Sequence, residues 1–260
     1  MSDARADESL WLIGAGPMAR EYAKVLSALG KAFAVIGRSE TSATTFEETV
    51  GVPVRRGGLL SALSASGPPA IAIVAVGIDQ LASATTALAE AGTRRVLVEK
   101  PAGLNSGEIR TLLLTADQMG ADILVAYNRR FFASVAAVRR IIEADGGATS
   151  CLFEVTEYSD KIAELKKLEV VKASWFLANT SHVVDLVISL CGVPVELSTQ
   201  TGGSLPWHPA AARFAGSGLT ELGIPFSYHG DWEAPGRWGI EMCTRERRLV
   251  LRPMEELNVI

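Results

Sequence analysis

Apolar residues along this chain follow two rhythms. In the first half, short unbroken apolar runs alternate with stretches whose apolar residues recur every three to four positions. The runs are 9–13, 32–37, 68–77, 94–100 and 121–128. Each predicts a strand buried on both faces. Between them, Met18, Tyr22, Val25, Leu26 and Leu29 mark a helix that Gly30 stops, and residues 42–51 and 79–92 predict two more. Asn105 followed by Glu108 forms a capping-box signal that opens a helix to about Met119. Strands alternating with helices of this length predict a parallel sheet covered on both sides.

The rhythm changes near residue 129. Residues 132–147 predict a helix, 149–158 a longer strand with partial alternation, 159–168 a polar helix, and 179–192 an amphipathic helix ending at Gly192. Residues 195–203, 223–232 and 237–253 then read as antiparallel strands, with Thr244–Arg247 as a hairpin turn. The expected architecture is therefore two domains. An α/β domain with a doubly wound parallel sheet spans 1–128. An α+β domain with a mostly antiparallel open sheet spans 129–260.

Composition changes this picture little. The chain has 260 residues, a net charge of −4 and an apolar fraction of 48%, which suits a globular protein. That charge gives no general reason to expect nucleic acid or an anionic membrane as partner. The first ten residues, MSDARADESL, lack the basic-then-apolar build of a signal peptide, so a cytoplasmic location is expected. Cys151, Cys191 and Cys243 are far apart and form no CxxC spacing, so no metal site or disulfide framework is expected.

The first candidate chemistry lies between the first strand and helix. Gly14, Gly16 and Ala19 fit the spacing of a dinucleotide fingerprint in the context it requires, strand, turn, helix and second strand. Gly14 permits the sharp turn. Gly16 lets the backbone approach a pyrophosphate, and Ala19 allows close helix–strand packing. Pro17 suits the first helical position, followed by Met18, and the helix start offers free N–H groups to phosphate. The end of the second strand selects the cofactor. An acid there would accept the ribose 2′-hydroxyl of NAD. Here stand Gly37, Arg38 and Ser39, which leave room, a cation and a hydroxyl for the 2′-phosphate of NADP. In the other reading, Glu40 holds the ribose and the cofactor is NAD.

The run 94–100 ends abruptly in Glu99, Lys100 and Pro101, at the carboxyl end of a late strand. That is where ligands bind in open α/β sheets. GAGPMA at 14–19, EKP at 99–101, AYNRRF at 126–131 and SHVVDL at 181–186 together resemble the Gfo/Idh/MocA oxidoreductases, over nearly the whole chain. The short members associated with cell-surface sugar biosynthesis resemble it most.

The resemblance implies hydride transfer between a nicotinamide cofactor and a secondary alcohol or ketone of a sugar or nucleotide sugar. It also implies that 1–128 is a Rossmann domain, and that 129–260 binds substrate and forms a homodimer or larger homo-oligomer through its open sheet. Lys100 is implied to touch the reacting hydroxyl beside the nicotinamide, often after a cis Lys-Pro bond, with Glu99 orienting the lysine or the strand end. The cofactor group is then Gly14, Gly16, Pro17, Met18, Arg38, Ser39, Glu99 and Lys100. In the family's second-domain motif, Asp-x-x-x-His-x-x-Asp, the last two positions match His182 and Asp185, while the first acid falls at Ala178. A proton path through Lys100 and His182 is implied, with Asn179 orienting substrate and Tyr127 and Arg130 lining the substrate region. His182 as a buried structural histidine, and Arg130 as a salt-bridge residue, are the competing readings. Family members continue past the last strand with a returning segment, whereas this sequence ends at Ile260. With the motif acid missing, a non-catalytic NADP-binding sensor or scaffold is the alternative function.

Overall fold

The computed structural model describes residues 9–260 of the chain, which divide into two compact units, one up to Ala126 and the other Tyr127–Ile260. In the first unit, strands and helices alternate: β1 (Leu10–Ile13), α1 (Pro17–Ala28), β2 (Ala34–Ile36), α2 (Glu40–Val50), β3 (Val54–Arg55), α3 (Gly58–Ser66), β4 (Ile71–Val74), α4 (Leu81–Ala91), β5 (Arg95–Glu99), α5 (Ser106–Met119) and β6 (Asp122–Ala126). The strands form one sheet in the order β3-β2-β1-β4-β5-β6, and every pairing is parallel. The chain order reverses between β1 and β4, so the switch point lies beside the glycine turn that follows β1. Leu12, Val35, Ala72, Val74 and Val98 are fully buried on these strands. The helices cover them with narrow faces of small and branched residues, such as Ala19, Ala23 and Leu26 on α1. Asn105 caps α5 by accepting the Glu108 N–H at 3.0 Å, while the Glu108 carboxylate accepts from Leu104 N–H at 2.8 Å.

The second unit contains α6 (Ala133–Ala144), β7 (Ser150–Glu154), α7 (Ser159–Ala163), α8 (Glu169–Ala173), a π turn at Phe176–Thr180, α9 (Ser181–Cys191), β8 (Pro194–Gly202), β9 (Arg213–Thr220), β10 (Pro225–Asp231), β11 (Gly239–Cys243), β12 (Arg248–Leu251) and β13 (Asn258–Val259). Its sheet runs β13-β12-β11-β7-β10-β9-β8. Residues from α6 and α9, among them Val138, Val183 and Leu186, pack with Phe153, Phe226, Ile240 and Leu251 of the sheet into one core. The Thr244 hydroxyl accepts the Glu246 and Arg247 N–H groups and so holds the β11–β12 hairpin.

Three features depart from the sequence reading. β7 pairs with β10 in parallel, the exception in an otherwise antiparallel sheet. The polar helix expected over 159–168 stops at Ala163 and resumes only as α8, because Glu164 to Leu168 places no apolar residue in the core. β3, α3 and β9 were not expected at all.

Candidate active site

The first candidate group sits at the carboxyl edge of the parallel sheet. The chain leaves β1 through Gly14, whose φ of 116° favours glycine. A Cβ there would collide with the Ala75 carbonyl. Gly14 N–H donates to Ile36 O at 2.8 Å, and Ala75 N–H donates to Ile13 O at 2.8 Å, so the turn is fixed to both neighbouring strands. Gly16 differs. It stands at the cap of α1 with extended backbone and no side-chain cap, and a Cβ on it would meet nothing within 4 Å. The fold therefore requires glycine at 14 but not at 16. A phosphate approaching the uncapped N–H groups of α1 supplies the missing reason. Pro17 opens the helix and Met18 is exposed beside it.

Arg38 and Ser39 follow β2. The Ser39 hydroxyl accepts the Ser42 N–H at 3.4 Å and caps α2. Glu40 is engaged by Arg56, whose Nε lies 2.7 Å from its carboxylate, and Arg56 also grips Glu47 with two hydrogen bonds of 2.8 Å. That grip holds the Glu47 carboxyl down at about 2. Arg38 makes no ion pair among the described residues. With Gly14, Gly57, Gly58, Gln80 and Ser83 it lines a groove of about 320 Å³. Gly57 and Gly58 were not recognised from sequence. Both have positive φ, and a Cβ on Gly58 would stand 3.7 Å from the Arg38 side chain.

Glu99 ends β5. The Tyr22 hydroxyl of α1 donates to its carboxylate at 2.7 Å, and burial followed by this carboxylate pushes the Tyr22 phenol well above its ordinary value. The Lys100–Pro101 peptide is cis, and Ala102 returns an N–H to Glu99 O at 3.0 Å. Ala102 is buried at 1% exposure with a φ of 71°. A non-glycine residue held in that region is strained, and such strain gathers at functional sites. Lys100 is half-buried on this turn. The structure thus brings the glycine turn, Arg38 and the Glu99–Lys100 turn to the ends of β1, β2 and β5 in one sheet.

The remaining sequence candidates lie in the second unit, around the start of α9. His182 is buried on its inner face. The Tyr127 ring meets it edge-on at 5.8 Å, and the Tyr127 hydroxyl donates to Ser181 Oγ at 3.2 Å. Arg130 is clasped by Asp185 in a two-pronged pair, with Nε to Oδ2 at 2.7 Å, which is a salt-bridge arrangement. Ala178 is buried, and Asn179 lies in the π turn just before α9. Asn179 Nδ2 donates to Glu157 at 3.0 Å, and Thr180 Oγ1 donates to the same oxygen at 2.7 Å.

Glu157 is the residue that sequence reasoning passed over. It is 6% exposed, and burial raises its carboxyl despite the two donors. It follows β7 within VTEY, where a lone acid carries no periodic signal. Trp238, whose ring centre lies 6.2 Å from that of His182, was also missed. Among the described residues no cluster of ligating side chains could hold a metal ion, and no helix is long and apolar enough to cross a membrane.

These residues fit a dinucleotide. The glycine-only Gly14 turn and the open cradle above Gly16 are what a pyrophosphate requires.

Comparison with known proteins agrees. Residues 10–127 match the model of an oxidoreductase family described as having an NAD-binding Rossmann fold, GFO_IDH_MocA. The mouse (Mus musculus) trans-1,2-dihydrobenzene-1,2-diol dehydrogenase is 28% identical over 135 residues, covering 50% of this chain and 40% of the mouse protein. The chain thus matches well under half the length of that relative. Among solved structures, the WlbA dehydrogenase from Bordetella pertussis, in complex with NADH and UDP-GlcNAcA, superposes with a TM-score of 0.78 at 16% identity, over 94% of this chain and 78% of that one. A levoglucosan dehydrogenase in complex with NADH and L-sorbose gives a TM-score of 0.79 at 18% identity, over 96% of this chain and 75% of that one. Residues 10–127 of this chain are thus similar to the Gfo/Idh/MocA oxidoreductase family with its NAD-binding Rossmann fold.

Proposed function

We propose that the protein is an NADP-dependent oxidoreductase acting on a secondary alcohol or ketone of a sugar or nucleotide sugar. The observation that carries this reading is the chemistry gathered at the ends of β1, β2 and β5: a phosphate cradle, an unpaired arginine and a lysine on a strained turn. The names of the similar proteins, a dehydrogenase seen with a nucleotide sugar and another seen with a sugar, support the substrate class.

NADP is favoured because Arg56 already engages Glu40, the acid that would otherwise accept a ribose hydroxyl, while Arg38 is unpaired among the described residues. A bound nicotinamide supplies the hydride acceptor or donor. The protein supplies the proton chemistry. As an alcohol becomes a ketone its hydroxyl proton must leave, and in reverse the nascent alkoxide must be protonated. Lys100 from the first unit is assigned that proton, and its turn fixes it beforehand. His182, in the second unit, is a second group able to take up or return a proton. Glu157, through Asn179 and Thr180, holds the segment that leads into His182.

The exposed Leu152, Val195 and Leu197 on sheet strands of the second unit support association with a second copy of the chain. Turnover of NADPH against a panel of keto-sugars and keto-nucleotide sugars tests the functional reading.

A further inference from the structure

Beside His182 stands a group of charges that the proposed chemistry does not use. The Arg129 guanidinium lies 4.8 Å from the centre of the Trp238 ring, and the Arg237 guanidinium lies 5.2 Å from the same ring. Arg237 also reaches the Tyr158 ring at 5.9 Å, and Arg129 the Phe132 ring at 6.0 Å. Neither arginine has a carboxylate within ion-pair distance among the described residues. The Nε of Arg129 is buried without a hydrogen-bond acceptor. Burial pulls the Arg129 guanidinium below its ordinary value; the Glu255 charge opposes this, the Arg237 charge adds to it, and Glu157 opposes it more weakly.

Two cations converging on one indole is an unfavourable arrangement in isolation. Stacking on an aromatic face leaves a guanidinium's N–H fork free along its edge, and that fork suits a planar carboxylate or a phosphate. Arg237 is the chain neighbour of Trp238, whereas Arg129 reaches the same ring from a segment far away in sequence. The buried Trp238 anchors the two guanidinium groups, and the part-buried Tyr158 offers a flat apolar surface of the kind that packs against a sugar ring.

We propose that Arg129, Arg237 and Trp238 form a subsite for an oxyanion carried by the substrate, a carboxylate or a phosphate ester on a sugar. The subsite adjoins His182 through Trp238, so an anion held there places the rest of the sugar near that histidine. This rests on the reading that the second unit receives the substrate, and it narrows the substrate class from any sugar to an anionic one.

The test uses binding alone, so it is independent of turnover. D-glucuronate, glucose 6-phosphate and D-glucose are titrated calorimetrically into the full chain loaded with NADP. The expected result is that one or both charged sugars bind about tenfold or more tightly than glucose, a difference that rising salt weakens. Preference for glucuronate alone names a carboxylate, and preference for glucose 6-phosphate alone names a phosphate ester. Arg237 is exposed, so Arg237→Ala is expected to fold and to abolish the preference, while Arg237→Lys retains part of it. Equal affinity for all three sugars, no binding of any of them, or an unchanged preference in Arg237→Ala overturns the proposal. Turnover of neutral keto-sugars together with equal affinities would remove the subsite and leave the oxidoreductase reading standing.

Discussion

The hydroxyl of Tyr22, one turn into α1, donates a 2.7 Å hydrogen bond to the carboxylate of Glu99, the residue next to Lys100. One contact thus ties the helix proposed to cradle phosphate to the strand end that carries the proposed proton handler. Tyr22→Phe removes a hydrogen bond to a charged group, for an expected loss of about 1–2 kcal/mol. In a chain of this size that lowers the melting temperature by roughly 2–4 °C per kcal/mol. NADP affinity should stay within a few-fold. Thermal unfolding of the cofactor-free protein measures it, and an unchanged melting point would make the contact incidental.

The two glycines of the turn should fail in different ways. Gly14→Ala forces a Cβ into the Ala75 carbonyl at a positive φ, so the fold itself should lose stability. Gly16→Ala meets no protein atom and should leave the melting curve unchanged while weakening dinucleotide binding. Denaturant unfolding beside cofactor titration separates the two effects. Loss of fold in Gly16→Ala would contradict the phosphate-cradle account.

Much of this could be read from the sequence, and the failures have physical causes. β1, β4 and β5 announce themselves as short runs of Trp, Leu, Ile and Val, and the glycine spacing follows directly. β3 is two residues long, too short to show a period. In α3, GLLSALSAS mixes small and apolar residues without a distinct face. In β9, RFAGSGLT reads as a loop because Gly216 and Gly218 sit where a Cβ would strike the neighbouring strand and aromatic rings. The side-chain clusters of the second unit were invisible for another reason. Glu157 meets Asn179 and Thr180, and Arg129 meets Arg237 across Trp238, only through tertiary packing.

In the proposed function, the preference for NADP rests on Arg38. Arg38→Ala should weaken NADP binding by roughly 10- to 150-fold, the equivalent of about 1.5–3 kcal/mol for a hydrogen-bonded charge pair. NAD binding should be untouched. Calorimetric titration of both cofactors decides it, and equal losses for NAD and NADP would place Arg38 elsewhere.

Glu157 gives a pH dependence of defined sign. Burial raises its carboxyl above the ordinary value of 4.5, so the folded chain holds the proton more tightly than the unfolded one. The contribution is complete below that ordinary value and is lost as pH rises through the raised value. Glu157→Gln cannot titrate. The stability of wild type relative to this variant should therefore fall as pH climbs above the ordinary carboxylate value. Urea midpoints across that rise report it, and parallel curves for the two proteins would show that folding leaves the Glu157 carboxyl unshifted.

The central claim is that this chain moves hydride, with Lys100 handling the proton. It is tested most directly by single-turnover oxidation of bound NADPH, screened against keto-sugars and keto-nucleotide sugars, in wild type and in Lys100→Met. The account predicts that at least one substrate oxidises NADPH and that Lys100→Met slows the step by about a hundredfold or more, with NADPH affinity kept within a few-fold. NADPH that binds but is never oxidised by any substrate would make the protein a cofactor sensor or scaffold. Wild-type rates in Lys100→Met would make the lysine a structural strand end.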